Sequence, residues 1–207
     1  MRKPLQFAAA LVFMVLFCAA SVPAETRLDG YFGMGTATVG STHDVVDFLG
    51  SGVGQSTPSM DGVFGTFGIG LMLKRNFGLG GQAAFRFRQG DYAGLGYRPI
   101  FYDFNGIWTP ELGNHVMPEF QAGLGAVNMR FYDPTTQYYD YNTGQYTNFI
   151  GSTNHFQLHA AAGLRFFISD RLFIRPAVDY HWVKGFDWFK STSVPSYSLS
   201  IGFTSGR

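Results

Sequence analysis

Three histidines and one carboxylate stand where they could do chemistry. His155, His159 and His181 share the polar parity of two consecutive segments, with Asp179 two residues before His181. Imidazoles beside a carboxylate suit two tasks, ligation of a transition metal and base catalysis for a nucleophilic hydrolase. A second set is ionic: Glu119, Arg165 and Arg175, with Asp103, Arg86 and Arg88 on the polar parity of their own segments. A three-residue turn at 169–171 pairs positions whose numbers sum to 340, so Arg165 faces Arg175 and His159 faces His181. Facing cations repel unless an anion lies between them. Glu119, three residues into the segment 116–132, is the candidate anion, and Glu119, Arg165, Arg175 and Asp103 read together as a polar plug.

The elements that carry these residues alternate with a period of two. In 156–168, Phe156, Leu158, Ala160, Ala162, Leu164, Phe166 and Ile168 fall on one parity, against Gln157, His159, Gly163 and Arg165 on the other. After Ser169, Asp170 and Arg171 the alternation resumes with Leu172, Ile174, Pro176, Val178, Tyr180 and Trp182 against Arg175, Ala177, Asp179 and His181. This is an antiparallel hairpin that separates an oily medium from a polar one. Each strand runs for about eleven residues, roughly twice the usual soluble length and what a tilted strand needs to cross a bilayer.

The same split recurs along the chain. Strands are expected at 27–39, at 62–74 (Val63, Phe67, Ile69, Leu71 outward), at the segment holding Leu79, Ala83, Phe85 and Phe87, at 94–108, at 116–132, and at the end with Tyr197, Leu199, Ile201 and Phe203 on one parity. Two of these lose phase: Arg98 disagrees with Tyr102, Phe104 and Trp108, which a bulge near Pro99 would reconcile, and 116–132 slips before Asn128 and Arg130. The connections at 41–61, 89–93, 133–153 and 184–192 include the longest, while those at 75–76, 109–115 and 169–171 are short. The glycines at 33, 35, 68, 70, 78, 80 and 81 precede no helix and are not phosphate loops; they relieve crowding in a tightly curved wall.

Composition sets the compartment. Basic Arg2 and Lys3, an apolar run over 5–20 and the small residues Ser21 to Ala24 make residues 1–24 a cleaved secretory signal. Cys18, the chain's one cysteine, leaves with it, so the mature chain forms no disulfide. Loss of Arg2 and Lys3 from 15 basic residues leaves 13 against 14 acidic ones, which gives no electrostatic case for nucleic acid. Residues 25–207 then suffice for one domain of eight strands, an all-β, closed, antiparallel up-and-down transmembrane barrel. Trp108 at one end, with Tyr180 and Trp182 at the other, are its candidate aromatic girdles.

The signal, the eight amphipathic strands and the terminal Tyr197-Ser-Leu199-Ser-Ile201-Gly-Phe203 resemble the small outer-membrane β-barrel superfamily that includes the OmpA-type transmembrane domain and OmpW-like proteins. The chain departs from that pattern in carrying Thr204 to Arg207 after the aromatic residue that is usually last, and no peptidoglycan-binding domain is expected to follow the barrel. The resemblance implies a Gram-negative outer-membrane location, both termini in the periplasm, an assembly signal at Tyr197, Leu199, Ile201 and Phe203 offered to the insertion machinery, and lipid and lipopolysaccharide as surroundings. A monomer without cofactor, metal or enzymatic activity is expected, because the histidines point inward and no serine shares a lipid-facing row with them. The leading function is a structural or interaction barrel with a plugged lumen and exposed loops, the tyrosine-rich loop within 132–149 included. The alternatives are a narrow channel for small or apolar solutes, which the OmpW-like resemblance implies, and a lipid-modifying enzyme; a soluble lipocalin-like barrel would need the opposite facing.

Overall fold

A computed structural model describes residues 26–40, 45–46, 55–56, 58–92, 94–113, 115–186 and 189–205. The signal segment 1–24 lies outside the described residues. The described residues form thirteen strands: β1 (Arg27–Ala37), β2 (Val45–Val46), β3 (Gln55–Ser56), β4 (Val63–Met72), β5 (Phe77–Arg86), β6 (Gly90–Tyr92), β7 (Leu95–Trp108), β8 (Val116–Tyr132), β9 (Tyr138–Asp140), β10 (Gln145–Thr147), β11 (Phe149–Phe167), β12 (Leu172–Val183) and β13 (Ser193–Thr204). Eight of them form the wall in the order β5-β4-β1-β13-β12-β11-β8-β7, and a β5–β7 pairing closes it. Closure removes the sheet edges, so every wall strand has a hydrogen-bonding neighbour on both sides, as a hydrocarbon environment demands.

The faces divide as the alternation requires. Leu28, Phe32, Phe67, Ile69, Leu79, Phe104, Leu124, Leu158, Leu164, Val178, Leu199 and Ile201 are exposed on the outer wall, whereas Asp29, Gln82, Asp103, Glu119, Arg165, Arg175 and Asp179 are buried. A large apolar exterior around a charged interior is stable only where the exterior meets lipid. Trp108 and Trp182 both point outward, each at the C-terminal end of its strand, and because β7 and β12 run in opposite directions they lie at opposite ends of the barrel. The hairpin register matches the sum of 340, with His159↔His181, Gly163↔Ala177 and Phe166↔Ile174 paired.

Two expected irregularities are absent. The β7/β8 register runs unbroken from Gly96↔Tyr132 to Trp108↔Phe120, with Pro99 opposite Met129, so there is no bulge at Pro99 and no slip before Asn128. The β8/β11 register is likewise unbroken from Phe131↔Gly151 to Val116↔Phe166. What changes is chemistry, not parity. Towards the end of the barrel away from Trp108 the inward positions become apolar, with Tyr97, Phe101, Val127 and Met129 buried, while Arg98, Asn128 and Arg130 lie outward. At this end the polar side turns out and the apolar side turns in, as in a water-soluble barrel. The real discontinuity lies at 87–89: β5 pairs Phe85 with Ile100, and after a shift β6 pairs Gly90 with Tyr97.

Three segments expected as loops contain strands. Residues 41–61 include the short antiparallel pair β2 and β3. Residues 89–93 include β6, and 133–153 includes the β9–β10 hairpin and the start of β11, which reaches 19 residues. The end of the wall where β1 and β13 meet is closed by reciprocal bonds, with Ser205 N donating to Leu28 O at 2.8 Å and Leu28 N to Ser205 Oγ at 2.8 Å.

Candidate functional site: the layered lumen

Near the end that holds the short turns, β8, β11, β12 and β1 bring four charges together. Glu119 divides its carboxylate between the arginines: Oε2 accepts from Arg165 Nε at 2.5 Å and Oε1 from Arg175 Nε at 2.7 Å, with Arg165 Nη2 also on Oε2. Arg165 Nη1 donates to Asp29 Oδ2 at 2.5 Å, and Asp29 Oδ1 accepts from Thr204 Oγ1 at 2.7 Å and lies 3.1 Å from Arg27 Nε. The hairpin register holds the two arginines opposite each other, and one carboxylate between them removes the repulsion. All four side chains are at most 2 % exposed, so each charge depends on its partners rather than on water.

Above this cluster a hydrogen-bond circuit crosses the lumen. Gln121 Nε2 donates to Glu119 Oε1 (2.7 Å), Asn105 Nδ2 to Gln121 Oε1 (3.0 Å), and Asn105 Oδ1 meets His159 Nδ1 (2.9 Å). His159 Nε2 lies 3.1 Å from Asp179 Oδ1, which also accepts from Gln82 Nε2 (2.8 Å), and Tyr31 OH donates to Gln82 Oε1 (2.6 Å). The Tyr31 ring lies under Arg175, 4.4 Å from the guanidinium carbon. Gly68 makes room for that ring, since a Cβ there would stand 2.1 Å from Tyr31 Cζ. Asp103 accepts from Gln157 Nε2 at 2.6 Å and lies 3.8 Å from His181 Nδ1.

The expected site is therefore split. Glu119, Arg165 and Arg175 form one cluster as the register arithmetic predicts. Asp103 belongs instead to the histidine layer, because the β7/β8 pairing sets it opposite Gly125, above Glu119. Arg86 binds Tyr97 OH at 2.9 Å in the upper lumen, far along β5 from the cluster, and Arg88 lies beyond the end of β5 and is exposed. Neither arginine is part of the plug. Asp29 and Tyr31 are the residues that sequence reasoning missed; both lie on the inward parity of β1, but only barrel closure brings them to Arg165 and Arg175.

Asp103, His159 and His181 offer ligand atoms within 4.8 Å of one another. The two imidazoles are stacked, with centroids 4.7 Å apart and planes at 23°, whereas a bound ion must lie in the plane of each ring it takes. His159 also has both nitrogens engaged, so the arrangement is that of a packed polar layer. His155 does not join it; its Nδ1 lies 3.3 Å from Lys184 O at the mouth.

The third layer is apolar. Phe64, Tyr97, Phe101, Val127, Met129 and Val194 fill the upper lumen, and Phe186 and Phe189 from the 184–192 connection stack over them, 4.4 Å between centroids. A cavity of about 10 Å³ lies beside Thr66, Phe101 and His181, at the limit of what one water needs.

No protein-family model matches the chain, and no curated protein matches it. Solved structures do. Ail, the attachment invasion locus protein of Yersinia pestis, aligns with TM-score 0.53 and 15% identity over 87% of this chain and 99% of its own. Neisserial surface protein A aligns with TM-score 0.53 and 12% identity over 88% and 97%. The outer membrane protein OprG from Pseudomonas aeruginosa gives TM-score 0.53 and 14% identity over 90% and 100%. At such identities the likeness is one of fold, that of the small eight-stranded outer-membrane β-barrel.

Proposed function

We propose that the chain is a monomeric integral barrel of the Gram-negative outer membrane, non-enzymatic, whose lumen is closed and whose work is done by its outer surface. The observation that carries this is the layering of the lumen: the ionic cluster, the hydrogen-bond circuit and the apolar layer each fill the cross-section, consistent with an eight-stranded barrel being just wide enough for side chains. The short connections at 73–76, 109–115 and 168–171 then face the periplasm with both chain ends, and the longer ones face outward. Trp108, Tyr180 and Trp182 suit the two interfacial girdles. Tyr197, Leu199, Ile201 and Phe203, all exposed on the outside of β13, suit a terminal-strand signal to the insertion machinery.

The experiment is single-channel recording of the refolded protein in planar bilayers. A closed lumen gives no discrete conductance steps; regular unitary openings would replace this reading with a channel. A second reading, passage of small apolar solutes, is favoured by the apolar upper layer alone. It predicts that Phe186→Ala with Phe189→Ala, which empties the cap, speeds uptake of such a solute into vesicles.

A further inference from the structure

On the outside of the wall, the β7/β8 register sets Arg98 directly opposite Arg130. Like charges placed so are destabilising, yet among the described residues neither arginine has an acidic partner. Arg98 lies over the Tyr132 ring at 5.9 Å and Arg130 over the Phe149 ring at 5.0 Å, and those two rings meet at 5.8 Å. The rings hold the guanidinium groups against the wall without neutralising them. Arg98 gives one long bond, Nη2 to Phe87 O at 3.3 Å, and its Nε has no partner.

Height identifies the counter-ion. Ten residues separate Trp108 from Arg98 on β7, which at about 3.3 Å rise and 40° tilt is roughly 25 Å, the height of the apolar band. Below the pair the outer wall changes in steps. Asn154 Oδ1 accepts from Asn128 Nδ2 (2.9 Å) and Tyr102 OH (3.2 Å), and further down Phe104, Leu124 and Leu158 face out. Hydrocarbon, an amide rung and two forked cations follow the order of acyl chain, ester and phosphate in a lipid. Arginine forks match phosphate oxygens in pairs.

We propose that Arg98 and Arg130 bind the phosphate of an anionic lipid in the outward-facing leaflet, with its acyl chains against Phe104, Leu124 and Leu158. This rests on the membrane placement proposed above. The test uses the full chain refolded into phosphatidylcholine vesicles, with or without diphosphoryl lipid A, and reads the urea unfolding midpoint. Lipid A should raise the midpoint of the unsubstituted protein and of R88Q, and dephosphorylated lipid A should not. R98Q/R130Q should lose the increment, and R98K/R130K should keep part of it; if the double variant gives no folded, heat-modifiable band, R130Q alone is read in the same way. An undiminished increment in R98Q/R130Q, or an equal one from dephosphorylated lipid A, overturns the site. An equal increment from inorganic phosphate in plain vesicles overturns the lipid assignment in favour of a soluble anion. Failure to insert into plain vesicles strikes at the membrane placement, not at the arginine pair.

Discussion

Asp29 and Arg165 are 136 positions apart, yet they meet at 2.5 Å inside the barrel. Arg165 therefore has two carboxylates and Arg175 has one, and the second belongs to the first strand of the wall. The ion cluster is thus joined to barrel closure: β1 can dock on β13 only with Asp29 delivered to an arginine from β11.

Glu119→Gln leaves two buried guanidinium groups facing a neutral amide. Breaking a buried pair from one side costs about 3–5 kcal/mol. The urea midpoint in detergent or vesicles should fall accordingly, with no conductance gained, since the layers above remain filled. An unchanged midpoint would mean that Glu119 does not hold the arginines.

Asp29→Asn should cost less, because Arg165 keeps Glu119. The loss falls where β1 meets β13, so hydrogen exchange should accelerate at the β1 amides more than in the β11–β12 hairpin.

Gly68→Ala places a methyl group within the Tyr31 ring. Overpacking of this kind costs about 1–3 kcal/mol. In a Tyr31→Ala background the same change should cost little, because the ring it meets is gone; additive losses would argue against the contact.

Val178 and Leu172 are both exposed on the outer face of β12, six residues apart. Val178→Arg sits near the middle of the band and should cost about 2–4 kcal/mol, whereas Leu172→Arg, at its edge, should cost about 0–1 kcal/mol. Equal penalties would move the band.

Asp133 lies in the connection between β8 and β9, where bonds to its carboxylate from the Thr135 hydroxyl, the Thr135 and Thr136 amides and Tyr138 OH hold its pKa down at about 2. A carboxylate depressed in the folded state adds stability that is present above its unfolded pKa near 3.9 and is lost as pH falls through about 2. The protection of the Thr135 and Thr136 amides, taken relative to their intrinsic exchange rates, should therefore hold down to about pH 4 and fall below it, and Asp133→Asn should remove that step.

The alternation along 156–182 settled the fold class, the hairpin register and the outward face, because period two and turn length are local properties of the chain. It also named Glu119 as partner to Arg165 and Arg175, since those three lie on sequence-adjacent strands. Asp29 and Tyr31 were out of its reach: their strand is first in the chain and meets the others only when the barrel closes. Hydropathy was misleading at Arg98, Asn128 and Arg130, where it suggested a change of phase. Side-chain parity belongs to the backbone and stays constant along a strand, but which parity is polar depends on the solvent outside. Only the closed wall shows where along β7 and β8 the inward face changes from polar to apolar, so only the tertiary structure could assign Asp103 to the histidine layer, Arg88 to the exterior and the arginine pair to the rim.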